Sequence, residues 1–166
     1  MKKLEIALSI VCLFAFVYVS VWVHVFLRSR AEISRGEQLV TSIAGHYRSY
    51  AKLLPRNEKN LLSEEEKKQF EQVRYDYYQS VVKAITAFDN CLHSYTPFNE
   101  YLPIAAEALI WLGDDCLNKN EFSLALSAYR TVRISPDPSW VSSADEKIKD
   151  AYAKMERLKA RNMKAK

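Results

Sequence analysis

Three observations predict an all-α chain with a membrane-anchoring N-terminus. Residues 6–27 form a largely apolar run of 22 residues, the later apolar residues recur at spacings of three and four, and glycine occurs only three times in 166 residues. Those three are Gly36, Gly45 and Gly113. Apolar recurrence at three and four marks one face of a helix, whereas a half-buried strand alternates at every second residue, and no stretch here does so.

The run IALSIVCLFAFVYVSVWVHVFL contains no Asp, Glu, Lys or Arg. As a helix its length is about 33 Å, enough to cross a hydrocarbon core of about 30 Å. Tyr18 and Trp22 suit a lipid-facing or interfacial helix, and Lys2, Lys3, Arg28 and Arg30 bracket it. A cleaved signal peptide has an apolar core of about 7 to 15 residues that ends in small residues. This run is longer and ends in Phe-Leu-Arg-Ser-Arg. A retained anchor over residues 1–30 is therefore expected. Lys2 and Lys3 nearly balance Arg28, Arg30 and Arg35 across it, so the positive-inside rule decides little. A short tail carrying two lysines resists translocation. The expected arrangement is a single-pass protein of the inner (cytoplasmic) membrane, with its soluble domain outside the cytoplasm.

Residues 31–62 read as a juxtamembrane helix and loop. Val40, Ile43, Tyr47, Ala51 and Leu54 share one face. Pro55 disfavours helical geometry in the residue before it, so the helix is expected to end there and Pro55 to Leu62 to form a loop. Ser63 followed by Glu66 then predicts a capping box, in which each side chain satisfies a backbone donor of the other residue. The acids Glu64, Glu65 and Glu66 suit the positive end of the helix dipole. Phe70, Val73, Tyr77, Val81, Ala84, Phe88, Cys91 and Tyr95 continue one seam without Gly or Pro. One helix over 64–94 is favoured over a hairpin broken near Gln79-Ser80. Thr96-Pro97-Phe98-Asn99 predicts a turn, and Pro103 fits the first turn of a helix reaching about Leu117. Another helix is expected from Glu121 to about Ile134, stopping before Ser-Pro-Asp-Pro. A second capping box, Ser143 with Glu146, is expected to open a last helix that buries Ile148, Ala151, Tyr152, Met155 and Leu158.

Charge divides the soluble part. Residues 36–153 hold 13 Lys and Arg against 17 Asp and Glu, a net −4, while residues 154–166 hold six bases against Glu156, a net +5. A mildly acidic body argues against nucleic acid as partner. The basic tail reads as a solvated helix end, with contact to anionic lipid or an acidic surface as the alternative. Cys12 falls in the apolar run. Cys91 and Cys116 lack C-x-x-C spacing, so neither a zinc site nor a redox pair is indicated. They read as buried small hydrophobes, with a Cys91–Cys116 disulfide open only in an oxidising compartment. His24, His46 and His93 are too scattered for a metal triad, and no H-E-x-x-H occurs. His46 is expected on the surface. Clustered glycines for a phosphate loop and G-x-S-x-G are both absent. No catalytic residue, cofactor or metal is therefore expected, and the chain is read as non-enzymatic.

The stretch ALIWLGDDCLNKNEFSLALSAYRTV, residues 108–132, carries two short amphipathic faces separated by Asn-Lys-Asn. Residues 106–137 resemble a tetratricopeptide repeat, a unit of about 34 residues in two antiparallel helices. Leu112-Gly113 match the first helix, Phe122, Ala125 and Tyr129 the second, and Pro136 and Pro138 flank the expected proline. Leu109, Cys116 and Val132 depart from the family's usual Trp, Tyr and Ala. A looser match covers residues 75–97 through Tyr75, Ala84, Phe88 and Pro97. The resemblance implies that residues 63–166 form a helical-repeat domain closed by a C-terminal capping helix. Leu112, Gly113, Phe122, Ala125 and Tyr129 would pack the repeat, with Gly113 and Ala125 letting the two helices approach. It further implies a partner-binding face of Glu107, Ile110, Trp111, Asp114, Leu117 and Asn118. Trp111 is the expected anchor, and two acids beside Trp and Ile suit an apolar or basic protein segment. The expected function is a membrane-anchored adaptor for another protein. The alternative is an accessory subunit of a membrane complex, whose apolar helix packs against other subunits.

Overall fold

The apolar run continues without a break into the amphipathic seam that follows, and both belong to one helix. In the computed structural model, which describes residues 2–59, 61–94 and 100–164, α1 is Lys2–Glu58. It is followed by α2 (Glu64–Leu92), α3 (Tyr101–Asn118), α4 (Phe122–Val132) and α5 (Pro138–Lys164). Among the described residues there is no strand. The turn expected at Thr96–Asn99 lies outside those residues.

A helix of this length extends about 85 Å, and its two halves meet different surroundings. Residues 6–21 are exposed at every position, and α1 is long and apolar enough to cross a membrane. From Trp22 onward a stripe through Phe26, Ser29, Ile33, Gly36, Val40, Ile43, Tyr47 and Tyr50 becomes buried or half-buried. Steps of three and four keep these residues on one face, which packs along α2.

Pro55 does not end the helix, contrary to expectation: α1 runs to Glu58 with the proline inside it. The proline removes one hydrogen bond only a turn from the end, and tertiary contacts hold that turn in place. Leu53 and Leu54 pack on the core, Leu62 is buried, and Leu61 N–H donates to the Arg56 carbonyl at 2.9 Å. Arg56 also reaches forward to Glu66 at 2.6 Å.

The capping box before α2 forms as its sequence predicts. Glu66 N–H donates to Ser63 Oγ at 3.3 Å, and Ser63 N–H donates to Glu66 Oε2 at 2.9 Å. The helix is unbroken from Glu64 to Leu92, passing through Gln79-Ser80. His46, expected on the surface, instead turns toward α2, its Nδ1 lying 2.9 Å from the buried Ser80 Oγ. The same hydroxyl lies 2.8 Å from the Asp76 carbonyl, so Ser80 links the His46 ring to the α2 backbone.

The α3–α4 turn is a Schellman arrangement. Glu121 N–H donates to the Cys116 carbonyl at 2.9 Å and Asn120 N–H to the Leu117 carbonyl at 3.2 Å. Asn120 sits between them at φ 63°, a left-handed conformation that Asn tolerates. Helix α4 ends at Val132, two residues short of the expected Ile134, which is exposed. Helix α5 begins at Pro138 rather than at Ser143, because Asp137 provides an earlier cap. The Asp137 carboxylate accepts from Ser139 N–H at 2.8 Å and from Ser139 Oγ at 2.7 Å, while Pro138 needs no partner for a missing N–H. Of the predicted apolar side of α5, Ala151 is buried and Ile148 packs on the core, but Tyr152 is 41 % exposed. Its hydroxyl accepts from Arg130 at 2.8 Å instead.

Each helix touches the next one, and the second-neighbour pairs α1–α3, α2–α4 and α3–α5 also meet. Among the described residues no more distant pair of helices is in contact. An aromatic cluster ties the α3–α4 turn to the first hairpin. Tyr50 stacks on Tyr77 at 5.6 Å and on Phe70 at 5.5 Å, and Tyr77 meets Tyr78 edge-on. Tyr78 donates its hydroxyl to Glu121, and the Lys119 ammonium lies 4.2 Å from the Tyr47 ring centroid. Burial first, and then the hydrogen bond to Glu121, pushes the Tyr78 hydroxyl up to about 12.

The Ser63 backbone N–H, and after it the Arg56 guanidinium, hold the Glu66 carboxyl below the ordinary glutamate value of 4.5. A depressed carboxyl pKa stabilises the fold fully above the unfolded value, and that stability is lost as pH falls through the folded one. Glu66→Ala should therefore lower the melting temperature at pH 7, with the difference from wild type shrinking as pH drops through and below 4.5. Thermal melts by circular dichroism at pH 7 and pH 3 measure this; a difference that grows on acidification would contradict it.

Candidate docking surface along helices α1 and α3

Two helix crossings set the positions of the candidate residues. Gly113 on α3 lies under the ring of Tyr129 on α4: a Cβ built at Gly113 would stand 2.3 Å from Tyr129 Cε1. Gly36 on α1 lies likewise under Phe88 of α2, where a Cβ would stand 2.6 Å from Cε1 and Cζ. A small residue precedes each ring by four positions, Ala125 before Tyr129 and Ala84 before Phe88, and both alanines are fully buried. The two hairpins thus use one device, a helical glycine that admits an aromatic ring from its partner helix. Leu112 is buried beside Gly113 and Phe122 is half-buried at the start of α4. Tyr75, part of the looser sequence match, is 59 % exposed, and Pro97 lies outside the described residues.

Tyr129 carries a polar end that needs a partner once the ring is buried. Its hydroxyl donates to Asp114 Oδ1 at 2.7 Å, and Lys147 of α5 reaches the same carboxylate at 2.7 and 2.9 Å. Burial, then the bond to Asp114, raises the Tyr129 hydroxyl above its ordinary value. Lys154 donates to the Leu117 carbonyl at 2.6 Å. Asp114 and Leu117 therefore hold α5 against α3. Ile110 and Leu117 are half-buried against the core, and Asn118 is exposed at the end of α3.

Glu107 and Trp111 point elsewhere. They belong with Ile104 and Ala108 to the α3 wall of a groove of about 470 Å³. Glu37, Val40 and Thr41 of α1 form the opposite wall, and Phe88 of α2 forms the floor. Trp111 is 53 % exposed and Ile104 43 % exposed at its mouth. Of the six residues expected to bind a partner, Glu107 and Trp111 thus line the groove, Asp114 and Leu117 contact α5, and Ile110 and Asn118 do neither. The α1 wall escaped sequence reasoning, which treated residues 31–62 apart from the repeat. Ile104, Ala108 and Trp111 do share helical spacing of four and three, a signal that was legible.

Helices α1 and α3 run in the same direction along this groove. Phe26 meets Tyr101 at 5.2 Å at one end, and Tyr47 meets Lys119 at the other. Asp114 with Lys147, and Leu117 with Lys154, show α5 running the same way. The basic end of α5 accordingly points away from the apolar end of α1.

The cysteines offer no reactive group on this surface. All three are unpaired, and Cys91 and Cys116 are buried. Burial pushes the Cys91 thiol up to about 11 and the Cys116 thiol up to about 12, so neither is a thiolate at neutral pH. Among the described residues no group of His, Cys, Asp and Glu could hold a metal ion.

A methyl group at Gly113 must displace a buried ring, so Gly113→Ala should cost about 1–3 kcal/mol. Gly45 has nothing within 4 Å of a built Cβ, and Gly45→Ala should instead stabilise by about 0.5–1 kcal/mol. Urea unfolding of the two variants would show opposite shifts in midpoint if the crossing is as tight as described. Asp114→Ala strands both Lys147 and the Tyr129 hydroxyl, with an expected loss of about 1–3 kcal/mol. A wild-type midpoint for that variant would show that Asp114 does not hold α5. Compared with known proteins, the chain matches no family model, no curated protein and no solved structure.

Proposed function

We propose that this chain is a single-pass membrane protein whose repeat-like helical body docks another protein, without catalysis of its own. The observation that carries the reading is the neighbour-only pairing of the helices. Contacts confined to first and second neighbours are what a solenoid requires, and they support the architecture that tetratricopeptide-type hairpins produce. The glycine-to-ring crossing used in both hairpins supports the same reading. In such stacks the first helices of successive hairpins line one face, and here that face carries Trp111 at the mouth of an apolar groove. Trp supplies a large, rigid contact area and is enriched among residues that dominate binding energy.

The membrane part rests on residues 6–27. They hold no Asp, Glu, Lys or Arg, and none of the most apolar window of α1 is buried within the chain. Such a surface stays in water only at the cost of roughly 25 cal/mol for each Å² of exposed apolar area. Lipid removes that cost. The proposed arrangement keeps Lys2 and Lys3 in the cytoplasm and the helical body outside it. Holding the body at a bilayer raises the effective concentration of a partner in the same membrane.

Trp111→Ala tests the docking face. Because the indole is largely exposed, stability should change by no more than about 0.5 kcal/mol, while recovery of the partner crosslinked in intact membranes should fall about tenfold or more. Unchanged recovery with an intact fold would remove this face from the mechanism. A stoichiometric complex that survives both this change and mild detergent would instead favour an accessory subunit held through its apolar helix.

A further inference from the structure

The groove has a chemical character and a fixed height. Val40, Phe88, Ile104 and Trp111 make its surface apolar, while Glu37 and Glu107 place one carboxylate on each wall. Among the described residues neither carboxylate is held in an ion pair. The α1 wall lies on the same unbroken helix as the apolar run. Glu37 and Thr41 therefore stand about 15 to 21 Å beyond Leu27 along the helix axis.

A second copy of this chain does not meet those conditions. Pairing groove to groove would bring Glu37 and Glu107 against their own counterparts, a like-charge arrangement that specific interfaces avoid. The basic end of α5 has the right charge but the wrong height. Lys154 already lies level with Leu117, and the residues after it run farther from the apolar end of α1, whereas the groove lies level with residues 104–111.

Building on the membrane-anchored reading above, we infer that the groove receives the juxtamembrane helix of a different membrane protein, one with an apolar stripe flanked by Lys or Arg. Such a helix stands upright beside α1 where it leaves the bilayer, and about two of its turns match the groove. Apolar residues at helical spacing fill the space over Phe88 and against Trp111, the usual mode of a helix lying in a groove. Its flanking cations meet Glu37 and Glu107.

The test places the full-length chain in vesicles of zwitterionic phospholipid with a synthetic single-span peptide. The peptide has a Leu-Ala span followed directly by a helix of Leu, Ala and Lys. A photo-crosslinking amino acid at Thr41 reports occupation of the groove, and one at the exposed Lys83 on α2 serves as control. Crosslinking is expected at position 41 and not at 83. In Glu37→Lys/Glu107→Lys the yield should drop about tenfold, and replacing the peptide's lysines with Glu should restore it. A rigid helical spacer of about 20 residues, which lifts the basic segment about 30 Å, should abolish the crosslink. Yields indifferent to charge or to height, or equal at the two positions, overturn the proposal. So does a crosslink between two copies of the chain in peptide-free vesicles. Alkaline carbonate extraction is scored separately: release of the chain rejects the anchoring itself, whereas retention without a charge-dependent crosslink rejects the groove's occupant alone.

Discussion

The arrangement of the helical body depends on aromatic rings pressed against helical glycines. Phe88 over Gly36 and Tyr129 over Gly113 set how closely α1 approaches α2 and α3 approaches α4. Glycine inside a helix costs roughly 1 kcal/mol relative to alanine, so the close approach must offset that cost through the contacts it permits. The gain is a fully or almost fully buried ring at each crossing and the van der Waals contacts that go with it. Separation at these two points also decides what lies on the opposite side. Phe88 is brought far enough toward α1 to floor the groove, and Tyr129 is seated deep enough for its hydroxyl to find Asp114.

Polar contacts then distribute the rest of the charge. Asp114 holds Lys147, Asp115 holds Lys119, Glu121 takes the Tyr78 hydroxyl, and Arg133 meets Asp145 at 2.7 Å. These pairs link neighbouring helices or steady the α3–α4 turn, and each lies at least partly in solvent. Their contribution is orientation more than stability, since exposed pairs typically add no more than about 1 kcal/mol. The tyrosine cluster has a more structural character. Tyr77 is fully buried and its hydroxyl has no well-formed hydrogen bond. Burial first, with the Cys116 thiol next, keeps that phenol protonated well above its ordinary range. Leaving such a group unsatisfied is costly, and Tyr50 stacked on the ring with Tyr47 tilted against it supplies compensating contacts.

The unbroken course of α1 has a mechanical consequence. A flexible linker between an anchor and a domain lets the domain sample many heights and orientations. A continuous helix removes that freedom, because its hydrogen bonds pass through the junction. If residues 6–27 lie in lipid, as proposed, Trp22, Phe26 and Tyr101 form an aromatic patch near the bilayer surface. Trp and Tyr favour that interface because their rings are apolar and their edges polar.

Features that depend on nearby residues were legible in the sequence. The all-helical class, the apolar run, the Ser63–Glu66 box and the unbroken α2 follow from spacing and from short-range hydrogen bonding, which act within a few residues of the chain. Features that depend on remote partners were not. Pro55 marks a helix end by local rules, yet packing of Leu54 and Leu62 carries the helix past it. Ser143 and Glu146 look like a cap, but Asp137 captures the start of α5 first. His46 reads as a surface residue until α2 brings Ser80 to it. The groove is the clearest case: Trp111 and Glu107 announce an unusual face, but the matching wall lies some seventy residues earlier. Sequence by itself determined which residues become helical and which faces are apolar, because both depend on local geometry. Tertiary structure alone decided that α1 and α3 lie side by side, because that pairing rests on contacts between the hairpins, α2 with α3 and α4 and Phe26 with Tyr101, whose members are remote in sequence.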